Sequence, residues 1–431
     1  MDNLFSALER DDRELEHLRG ILPSQVLRRF VDAGKIIAPS YQITPSQIQP
    51  ASIDLRLGRK AYHVCASFLP GKFPAEKKIR DWIKREVSLD EPTVFNPGEV
   101  YVVPLIEGLA LPPHVRGKAN PKSTTGRLDI FTRLITEGGQ EFESVPEAYR
   151  GSLYLEIVSR TFRVVVRAGM KLTQLRLIQG KPIDITDEML SKLSKTEQLV
   201  YADDETPIEP KIAGGLRMSV DLQGNASKVI AYQAKRDSPV IDLANINHYE
   251  IKDFWDVIEG PQPKGLILNQ SAFYILASAE KVSVPPTYAG EMVPYDPSIG
   301  EFRAHYAGFF DPGFGYGLNG IKGTKAVLEV RAHEVPIILE DRQLVGRLVY
   351  HKMAEEPDKL YGASIGSSYQ QQGLALSKHF RRPAYVDRES VLSPSPTLDP
   401  KNWRNNQVVG VIPATIQRQS DDTRSALKIR K

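Results

Sequence analysis

The sequence predicts a mainly β protein built from two tandem copies of one β-barrel or jelly-roll-like domain, with a few short helices. Three observations predict it. Short apolar strands alternate with proline, glycine and asparagine turns along most of the 431 residues. Residues 96–121 (NPGEVYVVPLIEGLALPPHVRGKANP) align without a gap on residues 269–294 (NQSAFYILASAEKVSVPPTYAGEMVP), at an offset of 173. The match pairs Tyr101 with Tyr274 and Pro112-Pro113 with Pro285-Pro286. The same offset sets Glu156 (LYLEIV) on Glu329 (VLEV). A period this long marks a duplicated domain, because solenoids repeat every 20–50 residues or so.

The elements follow in order. Residues 1–18 form a charged N-terminal extension, and 19–180 the first domain. That domain opens with PSQVLRRFVDAGKI, whose Val26, Leu27, Phe30 and Val31 share one face and whose Gly34 is a stop signal: a short amphipathic helix. Strands follow in SIDLRLG, VYVVPL, SLYLEIVS, FRVVVRAG and TQLRLIQ. Residues 181–212 are polar, hold one short helical stretch and have proline towards both ends, which predicts a linker. The second domain, 213–379, repeats the strand pattern in RMSVDLQG, KVIAYQAK, AFYILASA, KAVLEVRA, VPIILEDR and GRLVYHKM. HYEIKDFWDVI (248–258) reads as an inserted helix. The tail, 380–431, is rich in proline, serine and charge, buries little surface, and is expected to be loose or to wrap a neighbour.

Composition narrows the function. Lys+Arg total 56 against 53 Asp+Glu, so no global basic field exists to collect nucleic acid. A polyanionic ligand would have to meet a local cluster. The one cysteine, Cys65, excludes a disulfide framework and a zinc site built on paired cysteines. The N-terminus lacks the apolar core of a signal peptide, and no apolar run is long enough to cross a bilayer. The expectation is a soluble cytoplasmic protein with no membrane partner.

Four segments carry candidate chemistry, each beside a plainer alternative. Lys122-Ser123-Thr124-Thr125-Gly126-Arg127 combines two cations, hydroxyls and a glycine: an anion cradle, or a polar surface turn. Glu156 and Glu329 each stand in an apolar strand. They are either on a wetted face or in a pocket where desolvation raises the pKa and makes a usable base. Residues 307–315 (AGFFDPGFG) hold an Asp-Pro-Gly turn among aromatics. Residues 367–373 (SSYQQQG), preceded by Tyr361, read as a polar linker or a closing segment.

Taken in order, IQPASIDLRLG, KSTTGR, VLEV, FDPGFG and SYQQQG resemble the deoxycytidine triphosphate (dCTP) deaminases of the dUTPase-like superfamily, in their long two-domain bacterial form. RAGMKLTQLRL resembles the strand that follows the catalytic glutamate in that family. The resemblance covers most of residues 20–378. It implies two dUTPase-like domains and a phosphate and catalytic segment at Lys122, Ser123, Thr124 and Arg127. The catalytic glutamate falls on Glu329, or on Glu156 in the first half. The resemblance also implies a deoxyribose contact at Asp311, a water-orienting carbonyl at Ala307, backbone contacts from Val327 and Leu328, and a lid from Tyr361 to Gln372. Lys122 replaces the commoner arginine and loses its forked geometry. Ser368 stands where a lysine is expected.

The halves have diverged. The first keeps the cradle but has Pro146 where the sugar aspartate should be. The second keeps Asp311, Glu329, Tyr361 and Gln372 but has YDPSIGEFR in place of the cradle. A composite site is expected, first-half cradle against second-half base, within a chain or between chains. The alternative gives Glu156 the role and leaves the second half as scaffold. The implied reaction is hydrolysis of dCTP to dUTP and ammonia. The chain lacks the PCxxC half of the zinc-deaminase signature, so side chains would have to activate the water. Mg²⁺ would arrive on the triphosphate, and no metal site is expected in the protein. The resemblance further implies a homo-oligomer with threefold or pseudo-threefold domain packing. The rival readings are a dUTPase, a coupled dCTP deaminase/dUTPase, and a non-catalytic nucleotide-binding regulator.

Overall fold

The computed structural model describes residues 17–180, 185–224, 228–294, 302–305, 308–317, 320–332, 335–362 and 373–382. The duplication extends to the order of the strands. In the first copy one sheet runs Ile83–Ser88, Lys60–Val64, Val100–Ala110, Arg150–Ser159, Ile130–Thr136. In the second copy the matching sheet runs Trp255–Glu259, Val229–Ala234, Phe273–Val282, Thr324–Ala332, Phe302–His305. The facing sheet of the first copy sets Thr173–Gln179 between Val115–Pro121 and Ile53–Leu55, with Gly20–Ile21 alongside. The second copy sets Leu344–Lys352 between Tyr288–Pro294 and Leu216–Ser219. Every pairing within these four sheets is antiparallel, so each can bury one face and wet the other.

The opening helix is Ser24–Asp32. Its Val26, Leu27 and Phe30 are buried, as the periodicity predicts. Residues 248–258 differ from expectation. They form a 3₁₀ turn, Ile251–Asp253, and the strand Trp255–Glu259, because that strand completes the sheet that Ile83–Ser88 completes in the first copy. An apolar-polar run this short cannot be told from a helix by period alone. The 181–212 stretch also carries more structure than a linker. Helix Asp187–Thr196 and strand Val200–Tyr201 place Leu190, Leu199 and Val200 in the second copy's core. Residues 373–382 fold back: Leu376 and Phe380 enter the first copy's core, so the packed chain continues past 379.

The seam between the copies is itself a core. Trp255, Phe254, Phe273 and Ile275 of the second copy join Phe162 and Phe95 of the first. The Trp255 ring lies 5.4 Å from that of Phe162 and 5.8 Å from that of Phe380. Such aromatic contact adds to plain area burial. The second copy also lends the strand Ile241–Asp242, in parallel, to Val164–Val166 of the first. The two copies therefore stand in a fixed relation, and that relation positions the site.

Candidate active site

The cradle follows the strand Val115–Pro121. Its single helical turn, Ser123–Gly126, is closed by Gly126 and Thr125 backbone N–H groups donating to the Lys122 carbonyl. Ser123 is exposed and Thr124 half-buried, while Thr125, Gly126 and Arg127 are buried. Lys122 is ion-paired with the buried Asp54, and Lys171 lies 4.0 Å from the same carboxylate.

Glu329 comes from the middle of Thr324–Ala332, in register with Ile275 on one side and His305 on the other. Its carboxylate lies against the cradle of the same chain. A Cβ placed on Gly126 would stand 2.6 Å from Oε2 and 2.8 Å from Oε1. Glycine is required there by close approach. Burial pushes the Glu329 pKa well above the usual carboxylate value; the Arg127 guanidinium opposes the rise and the Asp129 carboxylate adds to it. Arg127 also donates to the Ala375 carbonyl at 3.1 Å, and Ser377 Oγ donates to the Thr124 carbonyl at 2.9 Å. The returning segment 373–382 thus braces the cradle from behind.

Asp311 reaches the same region. It is buried, with its pKa raised by burial and opposed by Arg176 and Lys122. Arg176, from the first copy, donates to the carbonyls of Gly290 and Phe310 at 2.9 Å each and stacks on Phe309 at 3.9 Å. It fixes the FDPGFG turn against the first copy. Tyr361 packs its ring 5.4 Å from Phe314, and its N–H donates to the Pro312 carbonyl. Val327 shares Glu329's face and packs on the first copy's core; the Leu328 side chain points into the second core, so only its backbone can meet a ligand. Ala307, Ser368 and Gln372 lie outside the described residues.

Sequence reasoning missed Asp54 and Arg176. Both were visible as charges inside apolar strands, IDLRL and TQLRLIQ, the same signal that marked the two glutamates. It also missed the partner of Glu156. That carboxylate is fully buried, and its Oε1 accepts from Arg133 Nε at 2.8 Å and Nη2 at 2.6 Å. Arg133 in turn lies 3.7 Å over the Phe142 ring. Among the described residues no group of three or more His, Cys, Asp or Glu is placed to hold a metal ion. No described helix is long and apolar enough to cross a membrane.

The fold is that of a duplicated, mainly β protein, with the candidate site where the Glu329 carboxylate of one copy lies against Gly126 of the other. Comparison with known proteins gives the family. The N-terminal domain model of 2'-deoxycytidine 5'-triphosphate deaminase matches residues 18–181, and the C-terminal domain model matches 186–380. A crystal structure of 2'-deoxycytidine 5'-triphosphate deaminase from Agrobacterium tumefaciens is similar at 46% identity and TM-score 0.73, covering 78% of this chain and 99% of that one. A dCTP deaminase of Halorubrum lacusprofundi is 27% identical over 35% of this chain and 73% of its own length. A "dCTP deaminase, dUMP-forming" of Bifidobacterium longum is 32% identical over 32% of this chain and 68% of its own. The chain belongs to the 2'-deoxycytidine 5'-triphosphate deaminase family and is, with it, a hydrolytic deaminase.

Proposed function

We propose that the chain hydrolyses the 4-amino group of dCTP, giving dUTP and ammonia, with Glu329 as the base. One observation carries this reading: the buried Glu329 carboxylate lies against Gly126 and beside Arg127, one copy's base on the other copy's cradle. Neutral water attacks C4 poorly. A carboxylate whose pKa is raised above its usual value draws a proton from water more effectively, and such positioned transfer is worth about 10²–10⁴-fold. The oxygen adds to C4 as N3 takes the proton. A second transfer through Glu329 protonates the amine, the C4–N bond breaks and ammonia leaves.

Ser123, on the open side of the cradle, and the Ala307 carbonyl orient the water. Arg127 keeps the carboxylate in register and offsets charge that develops at the base. Lys122, Ser123 and Thr124 hold the triphosphate, Asp311 the deoxyribose, and Val327 and Leu328 the base through their backbone. Tyr361 and Gln372 close over the nucleotide and exclude water. Magnesium belongs with the triphosphate as part of the substrate, since it is usually held by phosphates with few protein ligands.

A second reading is coupled deamination and diphosphate release, favoured by the "dUMP-forming" names of the Bifidobacterium longum and Kocuria rhizophila relatives. Against it, exposed Pro146 stands where an aspartate would activate water for attack on phosphorus. Incubation with dCTP and Mg²⁺ separates the readings. Ammonia with dUTP supports deamination alone. Ammonia with dUMP and pyrophosphate supports the coupled form. Tight binding without product overturns both in favour of a regulator.

A further inference from the structure

Close to the base lies a buried ion pair that the mechanism above does not use. Arg331 stands two residues beyond Glu329 on the same strand face and is 6% exposed. Its guanidinium contacts the carboxylate of Asp129, from the other copy, which is fully buried. Thr161 Oγ1 joins both: it donates to Asp129 Oδ2 at 2.6 Å and accepts from Arg331 Nη2 at 2.9 Å. Arg331 also donates to the Ser271 carbonyl.

Asp129 is tied to the cradle as closely as Arg331 is tied to the base. It lies two residues past Arg127, and its N–H donates to the Gly126 carbonyl at 2.8 Å. Its φ is +55°, in the left-handed region that aspartate tolerates better than most residues. The pair has no counterpart in the reverse direction. At the offset of 173, Arg331 corresponds to Val158 and Asp129 to Phe302. Burying two charges is costly, and apolar residues of similar size often dock as well or better. Stability alone is therefore a weak reason for this pair.

We propose that Asp129 and Arg331 are positioning residues that set Glu329 at its working distance from Arg127. The pair bridges the gap the reaction must span, with each member rigidly joined to one wall of it. Asp129 also belongs to the charge set facing Glu329, together with Arg127. Arg331 shares Glu329's face, Arg160 acts on Asp129 from the neighbouring loop, and His305 is opposite Glu329 in the strand register. Removing the Asp129 charge leaves the cations in excess, so Glu329 ionises at lower pH.

The inference rests on the deaminase reading, and its test keeps the two apart. Asp129→Asn retains the left-handed backbone and a polar contact to Thr161. Arg331→Met removes the cation, Arg331→Lys restores it without the fork, and Asp129→Asn/Arg331→Met leaves no buried charge alone. The expected result for Asp129→Asn is a kcat on dCTP at least about tenfold lower, since small misplacements of reacting groups cost this much or more. KM changes little, and the acid limb of the rate profile moves to lower pH. Arg331→Lys recovers part of the kcat that Arg331→Met loses. Carboxyl NMR of glutamate-labelled protein, assigned with Glu329→Gln, reads the same downward shift without turnover. A wild-type chain that releases no ammonia therefore sinks the deaminase reading, while the NMR titration still decides the electrostatic half of this one. Folded variants with wild-type kcat, an unmoved acid limb and an unmoved Glu329 titration overturn the positioning role.

Discussion

Glu156 and Glu329 occupy the same place in two copies of one strand, yet their surroundings differ. Both are buried, and both sit mid-strand between the same two neighbouring strands. Glu156 meets Arg133 in a two-donor contact directly across the sheet. Its face, with Val102 and Tyr154, is covered from within the first copy by helix Ala75–Trp82 through Ala75 and Ile79. Glu329 has Ile275 and Val327 in those places, and they pack on the other copy. That contact brings a cradle to the carboxylate instead of a cross-strand arginine. The same strand position therefore carries a different environment in each copy, set by what packs against it. Position in the fold alone does not decide it.

The largest expected effect is on Glu329→Gln. Ammonia release should fall by about 10²–10⁴-fold, the value of a positioned base, with dCTP binding retained. Stability should move the other way. The folded protein holds the Glu329 proton more tightly than the unfolded chain does, so stability is full below the usual value of 4.5 and declines as pH rises through the folded value. Melting curves should show wild type and variant nearly level at pH 4 and the variant higher at pH 8. A variant that melts lower at pH 8 would contradict the buried, costly base.

Next in size is Gly126→Ala. The added methyl would lie 2.6 Å from the Glu329 carboxylate, so the base must move. Displacements up to about 1 Å cost as much as ~10²-fold in rate. Steady-state kinetics should show the loss in kcat with KM nearly unchanged. Full activity would mean the carboxylate does not need its present place.

The smallest effect on turnover, with a clear one on stability, belongs to Glu156→Gln. It leaves Arg133 without its charged partner, and lost hydrogen bonds to charged groups cost about 1.5–3 kcal/mol. Denaturant unfolding should register that loss while kcat on dCTP stays near wild type. Loss of deamination without loss of fold would return the role to the first copy.

Much of this comparison was legible in the sequence. The offset of 173 matched Glu156 to Glu329 and also anticipated the shared strand order, because strand identity survives as an apolar period even when side chains diverge. The loss of the cradle from the second copy and of the sugar aspartate from the first indicated a division of labour. What stayed hidden were contacts between residues far apart in the chain. Nothing in FTRLIT reveals that Arg133 lies across from Glu156, and nothing in GRLDI reveals that Asp129 meets Arg331. Residues 248–258 read as a helix because the strand partner of Trp255–Glu259, Val229–Ala234, lies beyond the reach of a local pattern. The roles given to Ala307 and Gln372 rest on sequence, as both lie outside the described residues.

The central claim is that one chain's two copies complete one site. Co-refolding a Glu329→Gln chain with an Arg127→Ala chain tests it most directly. Each variant carries one good wall, so a site shared between chains would be rebuilt in the mixture. The structure predicts that the mixture releases ammonia no faster than the two variants refolded apart. Recovery of a sizeable fraction of wild-type turnover would contradict it and move the base into a neighbouring chain.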